Sequence, residues 1–220
     1  MMKGIPAFLL LMLLCIACNK SDSSILSQTY TKYANLYYQT DNSVKTDVYI
    51  PFQHDSINTP VIVLLHGGSW YKGVKGDFDF TDMYTFFTQN GFVVVVPDFH
   101  LVKGGQYRYP YPLQDIDSLL NFIEEKKKEW GLNPQKVCLL GRSSGSHLAL
   151  QYAYSHNTKH RVKAVIDCYG ISNLADPTIY DSVLASYAQT YLGCPYNDHE
   201  QIWQDASPIY HLAGVLHKEY

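Results

Sequence analysis

Residues 141–145 place a serine between two glycines in a setting that suits nucleophilic attack on a carbonyl carbon. The segment reads Gly-Arg-Ser-Ser-Gly and lies between an apolar run and a helix-like segment. A G-x-S-x-G pattern in that context predicts a sharp strand-to-helix turn that lifts the middle serine above the sheet edge. The sequence therefore predicts that Ser143 is a nucleophile and that the Ser144 amide, at a helix N-terminus, faces a developing oxyanion. An ordinary Gly/Ser turn is the alternative.

A second segment, residues 66–70, reads His-Gly-Gly-Ser-Trp and also follows an apolar run. Consecutive glycines allow the backbone to turn its amides outward. We expect the Gly67 and Gly68 amides to complete an oxyanion hole with that of Ser144. His66 is expected to orient this loop rather than act as a base. Trp70 is expected either to form a wall of the acyl pocket or to pack in the core.

The elements that must position these motifs alternate between strand and helix patterns. Continuous apolar runs are typical of buried parallel strands, and apolar stripes at helical spacing are typical of helices packed on a sheet. The predicted strands are residues 44–50, 60–65, 92–97, 136–140 and 162–169, and the predicted helices are residues 79–89, 112–130 and 144–155. This order predicts an α/β fold with a mainly parallel sheet and helices on both faces.

Taken in order along the chain, the motifs resemble those of the α/β-hydrolase superfamily, of the lipase and carboxylesterase type close to feruloyl-esterase-like proteins. The resemblance covers about residues 42–213. It rests on the segments 66–70, 96–101, 141–150 and 164–170, and residues 192–195 and 205–208 resemble the family's cap region and the approach to the next strand. It implies hydrolysis of small or carbohydrate-linked esters through an acyl-enzyme on Ser143, with a histidine base and an acid. A peptidase of the same fold is the alternative activity.

Compared with the family that it resembles, the chain departs from the expected pattern after Pro208. The family's acid follows the next parallel strand and its histidine comes later still, yet only twelve residues follow Pro208. We therefore expect a domain that lacks the last βα units and both usual triad partners, or a truncated or degenerate hydrolase without activity. Substitutes for these partners are sought among His100, Asp167 and Asp176, while His147 is expected to pack within its helix.

Composition and charge exclude several other classes of protein. The chain has 220 residues, is 46% apolar and 17% charged, and carries a formal net charge of −3. These values suit one globular domain and argue against disorder. Without a basic excess, nucleic acid is not an expected partner. No Cys, His or acidic cluster has metal-ligand spacing and no cofactor motif is present, so neither a metal nor a cofactor is expected.

The first residues predict export. A lysine at position 3 precedes an apolar run that is too short to span a bilayer comfortably, as in secretory signals. Residues 15–18 read Cys-Ile-Ala-Cys and resemble a bacterial lipobox, which implies lipid attachment at Cys18 and a membrane contact through that anchor alone. A plain signal peptide, giving a periplasmic or secreted protein, is the alternative. The predicted organisation is a lipoprotein-type signal at residues 1–18, a tether and N-terminal segment at 19–40, and the hydrolase domain at 41–220.

Three further cysteines follow this leader. Cys138 and Cys168 lie in strand-like runs and are expected to be buried thiols, with Cys194 as the third. An odd count predicts no disulfide framework.

Overall fold

The computed structural model describes residues 29–55, 57–77, 81–179 and 182–212. The predicted signal segment, with the proposed lipidation site Cys18, lies outside these ranges, as does most of the predicted tether. Within the described ranges, six strands form one sheet that is flanked by helices on both faces. The predicted α/β architecture is confirmed.

The four parallel strands of the sheet coincide with the predicted apolar runs. The strands are β1 (Tyr30–Tyr37), β2 (Lys45–Pro51), β3 (Val61–Leu65), β4 (Val93–Pro97), β5 (Val137–Arg142) and β6 (Val162–Cys168). Their spatial order is β1-β2-β4-β3-β5-β6, with β3 to β6 parallel and β1 and β2 antiparallel to their neighbours. Every residue of β3 and β4 is buried because helices cover both faces, which explains why these strands read as unbroken apolar runs.

Two features of the sheet differ from the sequence-based expectation. Strand β1 was not predicted and lies within the segment assigned to the tether and N-terminal segment; most of its residues are exposed, so it has no apolar alternation to reveal it. Strand β6 was predicted to run through Tyr169 but ends one residue earlier, because Tyr169 adopts a left-handed backbone with φ of 54°.

Among the residues that the structure describes, five α-helices flank the sheet: α1 (Thr81–Gln89), α2 (Tyr111–Trp130), α3 (Ser144–Gln151), α4 (Val183–Leu192) and α5 (Glu200–Asp205). Helices α2, α3 and α4 contribute to the larger apolar core, and α1 packs on the opposite face, where Tyr84 stacks on Tyr49 at 4.2 Å between ring centroids. The helix predicted over residues 144–155 is correct in position but changes at Tyr152 into a π-helical turn, Tyr152–His156. Helix α2 ends at Gly131, whose left-handed conformation closes the C-terminus.

A buried carboxylate fixes the loop that leaves β4 at its C-terminal end. Asp115 on α2 accepts the His100 backbone N–H at 2.7 Å and lies 3.0 Å from the His100 Nδ1. Its Oδ1 also accepts the Gln39 side-chain amide at 2.6 Å. One side chain therefore joins the β4 exit, helix α2 and the turn between β1 and β2. This anchor lies at the same edge of the sheet as the C-terminal ends of β3 and β5.

In the described part of the chain, no helix combines the length and the apolar character that crossing a bilayer would require.

Candidate active site

The serine of the G-x-S-x-G segment occupies a strained turn between β5 and α3. Ser143 has φ of 52° and ψ of −119°, a backbone conformation that costs a residue with a Cβ about 1–3 kcal/mol. Its N–H donates to the Cys168 carbonyl of β6 at 3.0 Å, and its own carbonyl accepts the His147 N–H at 3.0 Å. Hydrogen bonds on both sides thus hold the turn in place. This is the predicted geometry for a serine raised above the sheet edge.

Close backbone approaches explain the two glycines of this turn. A Cβ placed on Gly145 would collide with the carbonyl oxygens of Leu65 and His66 at the end of β3. A Cβ on Gly141 would collide with the backbone of Gly145 and Ser146. Only residues without a Cβ allow the first turn of α3 to lie against the end of β3. The serine turn and the His-Gly-Gly loop therefore touch.

The loop after β3 is itself strained over three residues. Gly68 has φ of 126°, Ser69 of 55° and Trp70 of 64°. A Cβ on Gly68 would collide with the Lys72 carbonyl, whereas the Gly68 carbonyl accepts the Lys72 N–H at 3.1 Å. The left-handed conformation costs each of the two non-glycine residues about 1–2 kcal/mol. Contacts elsewhere must therefore hold this loop in its observed shape.

Three backbone amides at this junction are free to bind an anion. Within the described ranges, the N–H groups of Gly67, Gly68 and Ser144 have no hydrogen-bond acceptor. Gly67 is buried, and Ser144 lies at the N-terminus of α3, where the helix dipole favours negative charge. An oxyanion-hole donor contributes about 3 kcal/mol of transition-state stabilisation. The structure thus brings the predicted nucleophile and the predicted oxyanion donors to one edge of the sheet.

His66 contacts its own loop and not the serine. Its Nδ1 lies 2.7 Å from the Gly67 carbonyl oxygen, which can only accept, so Nδ1 carries the proton. The ring stacks on Phe99 at 4.2 Å between centroids, and burial lowers the pKa of His66. A buried imidazole that donates to its own loop supports an orienting role.

His147 is fully buried one turn after the serine and connects three segments of the chain. Its Nδ1 lies 3.2 Å from Trp70 Nε1, and its Nε2 lies 2.8 Å from the Ala206 carbonyl oxygen. Burial lowers its pKa to about 4, so the ring is neutral at pH 7. The expectation that His147 packs rather than acts as a base agrees with this geometry.

The candidate substitutes for the triad base and acid have other contacts. His100 Nδ1 faces Asp115, and its ring packs between Tyr107 and Tyr111 at 4.3 and 5.0 Å. Asp167 accepts the Gly170 N–H at 2.7 Å, and Asp176 accepts the Thr178 N–H at 2.8 Å. Across the described ranges, no histidine or carboxylate forms a hydrogen bond with the Ser143 hydroxyl. The described part of the chain therefore brings the predicted nucleophile and the predicted oxyanion donors together, with no histidine or carboxylate bonded to the serine hydroxyl.

Ser146 is a structural residue of the site whose role sequence reasoning did not assign. Its buried hydroxyl donates to the Gly141 carbonyl and accepts the Cys168 N–H at 2.8 Å. These bonds tie the ends of β5 and β6 to the first turn of α3. Because the partners are backbone atoms of distant segments, nothing in the local pattern marks them.

The cysteines in the described part of the chain form no disulfide. Cys138, Cys168 and Cys194 are free thiols, and Cys138 and Cys168 are partly buried rather than buried as expected. Among the residues that the structure describes, no group of three or more His, Cys, Asp or Glu side chains is arranged to hold a metal ion.

Comparisons of the sequence find a matching family model and curated relatives that include an acetyl esterase. The family model BD-FAE matches residues 46–215. An acetyl esterase of Salmonella schwarzengrund (strain CVM19633) is 28% identical over 139 residues, which is 60% of this chain and 41% of that protein. The chain spans about 40% of the length of the curated relatives it matches.

Comparisons of the structure find the same fold in solved esterases. A bifunctional GH43-CE protein of Bacteroides eggerthii superposes with a TM-score of 0.71 at 20% identity, over 82% of this chain and 29% of that one. Thermogutta terrifontis esterase 2 phosphonylated by sarin superposes with a TM-score of 0.62 at 21% identity, over 80% of this chain and 67% of that one. These similarities confirm the predicted α/β-hydrolase fold.

A Gly145→Ala substitution tests the close approach of α3 to β3. The added methyl group overlaps two backbone carbonyls that cannot rotate away, so we expect the free energy of unfolding to fall by about 2 kcal/mol or more. Gly76→Ala is the matched control, because a Cβ there meets no atom within 4 Å, and it should change stability by less than about 0.5 kcal/mol. Urea denaturation measures both values. Equal effects of the two substitutions would contradict the assigned contact.

The low pKa of His147 predicts a pH-dependent stability. The folded pKa is about 4 and the ordinary pKa of histidine is 6.5, so the unfolded chain binds more protons between these pH values and stability falls as pH decreases from about 6.5 to 4. The loss reaches about 3 kcal/mol. His66 and His156 have lowered pKa values and contribute in the same direction.

The contribution of His147 is isolated by comparing wild type with His147→Gln, which cannot titrate. Denaturation curves at several pH values should show a shallower dependence in the variant, whatever its absolute stability. Identical slopes would show that His147 is not the titrating group.

Proposed function

Because the chain belongs to the BD-FAE family, whose model matches residues 46–215, we propose that it is a serine carboxylester hydrolase with Ser143 as its nucleophile. The observation that carries the proposal is the strained Ser143 turn held against a loop with free amides. The homologues of the chain are esterases, in agreement with this class of reaction.

The geometry supports formation of an acyl-enzyme. The Ser143 oxygen attacks the ester carbonyl carbon while its proton passes to a general base, and the carbonyl π electrons move onto oxygen. The amides of Gly67, Gly68 and Ser144 bind the resulting oxyanion. Collapse of the intermediate expels the alcohol, which takes up the proton, and water then hydrolyses the acyl-Ser143 ester. Among the described residues, no histidine or carboxylate forms a hydrogen bond with the Ser143 hydroxyl to act as this base.

The proposed substrates are esters of small acyl groups, including those carried by carbohydrates. A curated relative is an acetyl esterase, and a structural neighbour combines a GH43 and a CE unit in one protein. Thermogutta terrifontis esterase 2 is phosphonylated by sarin, which makes organophosphonates suitable probes for Ser143.

We also propose that the protein is exported and held at the membrane of a bacterial cell envelope by a lipid on Cys18. The support is the charged start, the short apolar run and the Cys-Ile-Ala-Cys sequence at residues 15–18. Stable anchoring through Cys18 would take a second acyl chain or an additional signal, because one acyl chain alone binds a membrane weakly.

Ser143→Ala tests the nucleophile. Wild-type protein treated with p-nitrophenyl acetate or a fluorophosphonate should gain one acetyl or phosphonyl group, which peptide mass spectrometry locates on Ser143. The Ser143→Ala variant should remain unmodified, since no oxygen remains to attack. Ser186→Ala removes an exposed hydroxyl on α4 and serves as the matched control, with labelling equal to wild type.

The time course of p-nitrophenol release distinguishes two forms of this function. Continued release indicates complete turnover, whereas a burst of one equivalent indicates an acyl-enzyme that lacks a base for deacylation. The second result would agree with the lack of a contacting base in the described residues. Folded wild-type protein that neither reagent modifies would refute the proposed nucleophile.

Cys18→Ala tests the lipid anchor. Cells supplied with an alkyne-tagged fatty acid should label the wild-type protein and retain it in the membrane fraction, and the variant should lose both properties. Cys194→Ala keeps the lipobox-like sequence and should behave as wild type. An unlabelled wild-type protein in the soluble fraction would contradict the anchor.

A further inference from the structure

The side chain of His147 is held in one tautomer by two partners with fixed roles. The Trp70 indole N–H can only donate, so the His147 Nδ1 at 3.2 Å must accept. The Ala206 carbonyl can only accept, so the Nε2 at 2.8 Å must donate. Both bonds are formed only by the neutral ring protonated on Nε2, and both are fully buried.

The backbone of the same residue holds the serine turn. The His147 N–H donates to the Ser143 carbonyl at 3.0 Å, the first hydrogen bond of the helix that follows the nucleophile. A single residue therefore contacts the nucleophile's backbone on one side and the oxyanion loop on the other. Its neighbours in the chain, Ser146 and Leu148, do not contact Trp70 by hydrogen bonds.

Trp70 is the buried end of the strained loop. Its side chain is 1% exposed, its ring stacks on Tyr191 at 4.7 Å between centroids, and its carbonyl accepts the Val102 N–H at 2.9 Å. The indole N–H is its one side-chain polar group, and His147 is its partner. Since Ser69 and Trp70 both have left-handed backbones, the loop keeps its shape only while such contacts hold it.

We propose that His147 is a positioning residue for the oxyanion hole, and that it acts through the Trp70 indole to hold the Gly67 and Gly68 amides opposite Ser143. This inference rests on the proposed function of Ser143. It assigns His147 no contact with substrate and no proton transfer in the reaction.

A pair of amide substitutions, each of which keeps one of the two hydrogen bonds, separates this role from simple packing. In His147→Asn the side-chain oxygen stands at the position of Nδ1 and can still accept the Trp70 N–H. In His147→Gln the side-chain nitrogen stands near the position of Nε2 and can still donate to Ala206, but the acceptor for Trp70 is lost. Trp70→Phe removes the same bond from the other side while leaving an aromatic ring to stack on Tyr191.

Two measurements follow the oxyanion loop: hydrogen–deuterium exchange of the peptide that contains residues 67–72, in which the Tyr71 and Lys72 N–H groups donate to the Gly68 carbonyl, and the rate at which a fluorophosphonate modifies Ser143. Loss of one hydrogen bond corresponds to roughly a tenfold change in an equilibrium. We therefore expect exchange to rise and labelling to slow by roughly tenfold in His147→Gln and in Trp70→Phe. The His147→Asn variant should keep loop exchange and the labelling rate close to their wild-type values. The effects of His147→Gln and Trp70→Phe should not be additive in the double variant.

If His147 acted through packing alone, His147→Asn would disturb the loop more than His147→Gln, because Asn leaves the larger cavity. Tyr191→Phe is the control: it keeps the ring stacked on Trp70, removes only the hydroxyl, and should leave loop exchange unchanged. If Asn is no better than Gln, or if Trp70→Phe matches wild type, the positioning role is refuted. If wild-type Ser143 is not labelled at all, the proposed function fails, and exchange at residues 67–72 still decides whether His147 holds the loop. Trp70→Phe supplies that answer should both His147 variants fail to fold.

Discussion

The candidate active site depends on the contact between two backbones that meet without side chains between them. At Gly145 the first turn of α3 lies against the carbonyls of Leu65 and His66 at the end of β3. The register of the sheet, which pairs Leu65 with Gly141, brings the two segments to the same level. A larger residue would separate the serine from the glycine loop. The proposed oxyanion site therefore depends on the lack of a Cβ at Gly145 as much as on any attractive contact.

Both segments that meet there are strained, and each is held by partners from elsewhere in the fold. Ser143 is fixed by Cys168 on the neighbouring strand β6 and by His147 on α3. The loop after β3 is fixed through the Trp70 side chain, which reaches His147 and Tyr191. Strained conformations persist only where the surrounding structure determines them, and here the Gly67, Gly68 and Ser144 N–H groups have no acceptor within the described residues.

The buried histidines near this edge form polar bonds that stabilise loops. His66 donates to its own loop, His100 faces Asp115, and His147 bridges Trp70 and Ala206. Burial lowers the pKa of His66 and His147, which keeps both rings neutral and able to form these bonds. In the proposed function, Ser143 and the backbone amides act on the carbonyl group, and the buried histidines stabilise the loops that carry them.

Local sequence was enough to determine the strands β3 to β6, the serine turn and the glycine loop, because each depends on apolar runs and on glycines next to one another in the chain. It did not reveal β1, whose exposed residues lack alternation, nor the π-helical turn at Tyr152. Only the tertiary structure showed that His147 joins Trp70 to Ala206, 59 residues further along the chain, and that His100 is engaged by Asp115. These partners are in contact because the sheet order and the helix packing bring distant segments together. The residue pattern within one segment does not specify which distant segment will pack against it.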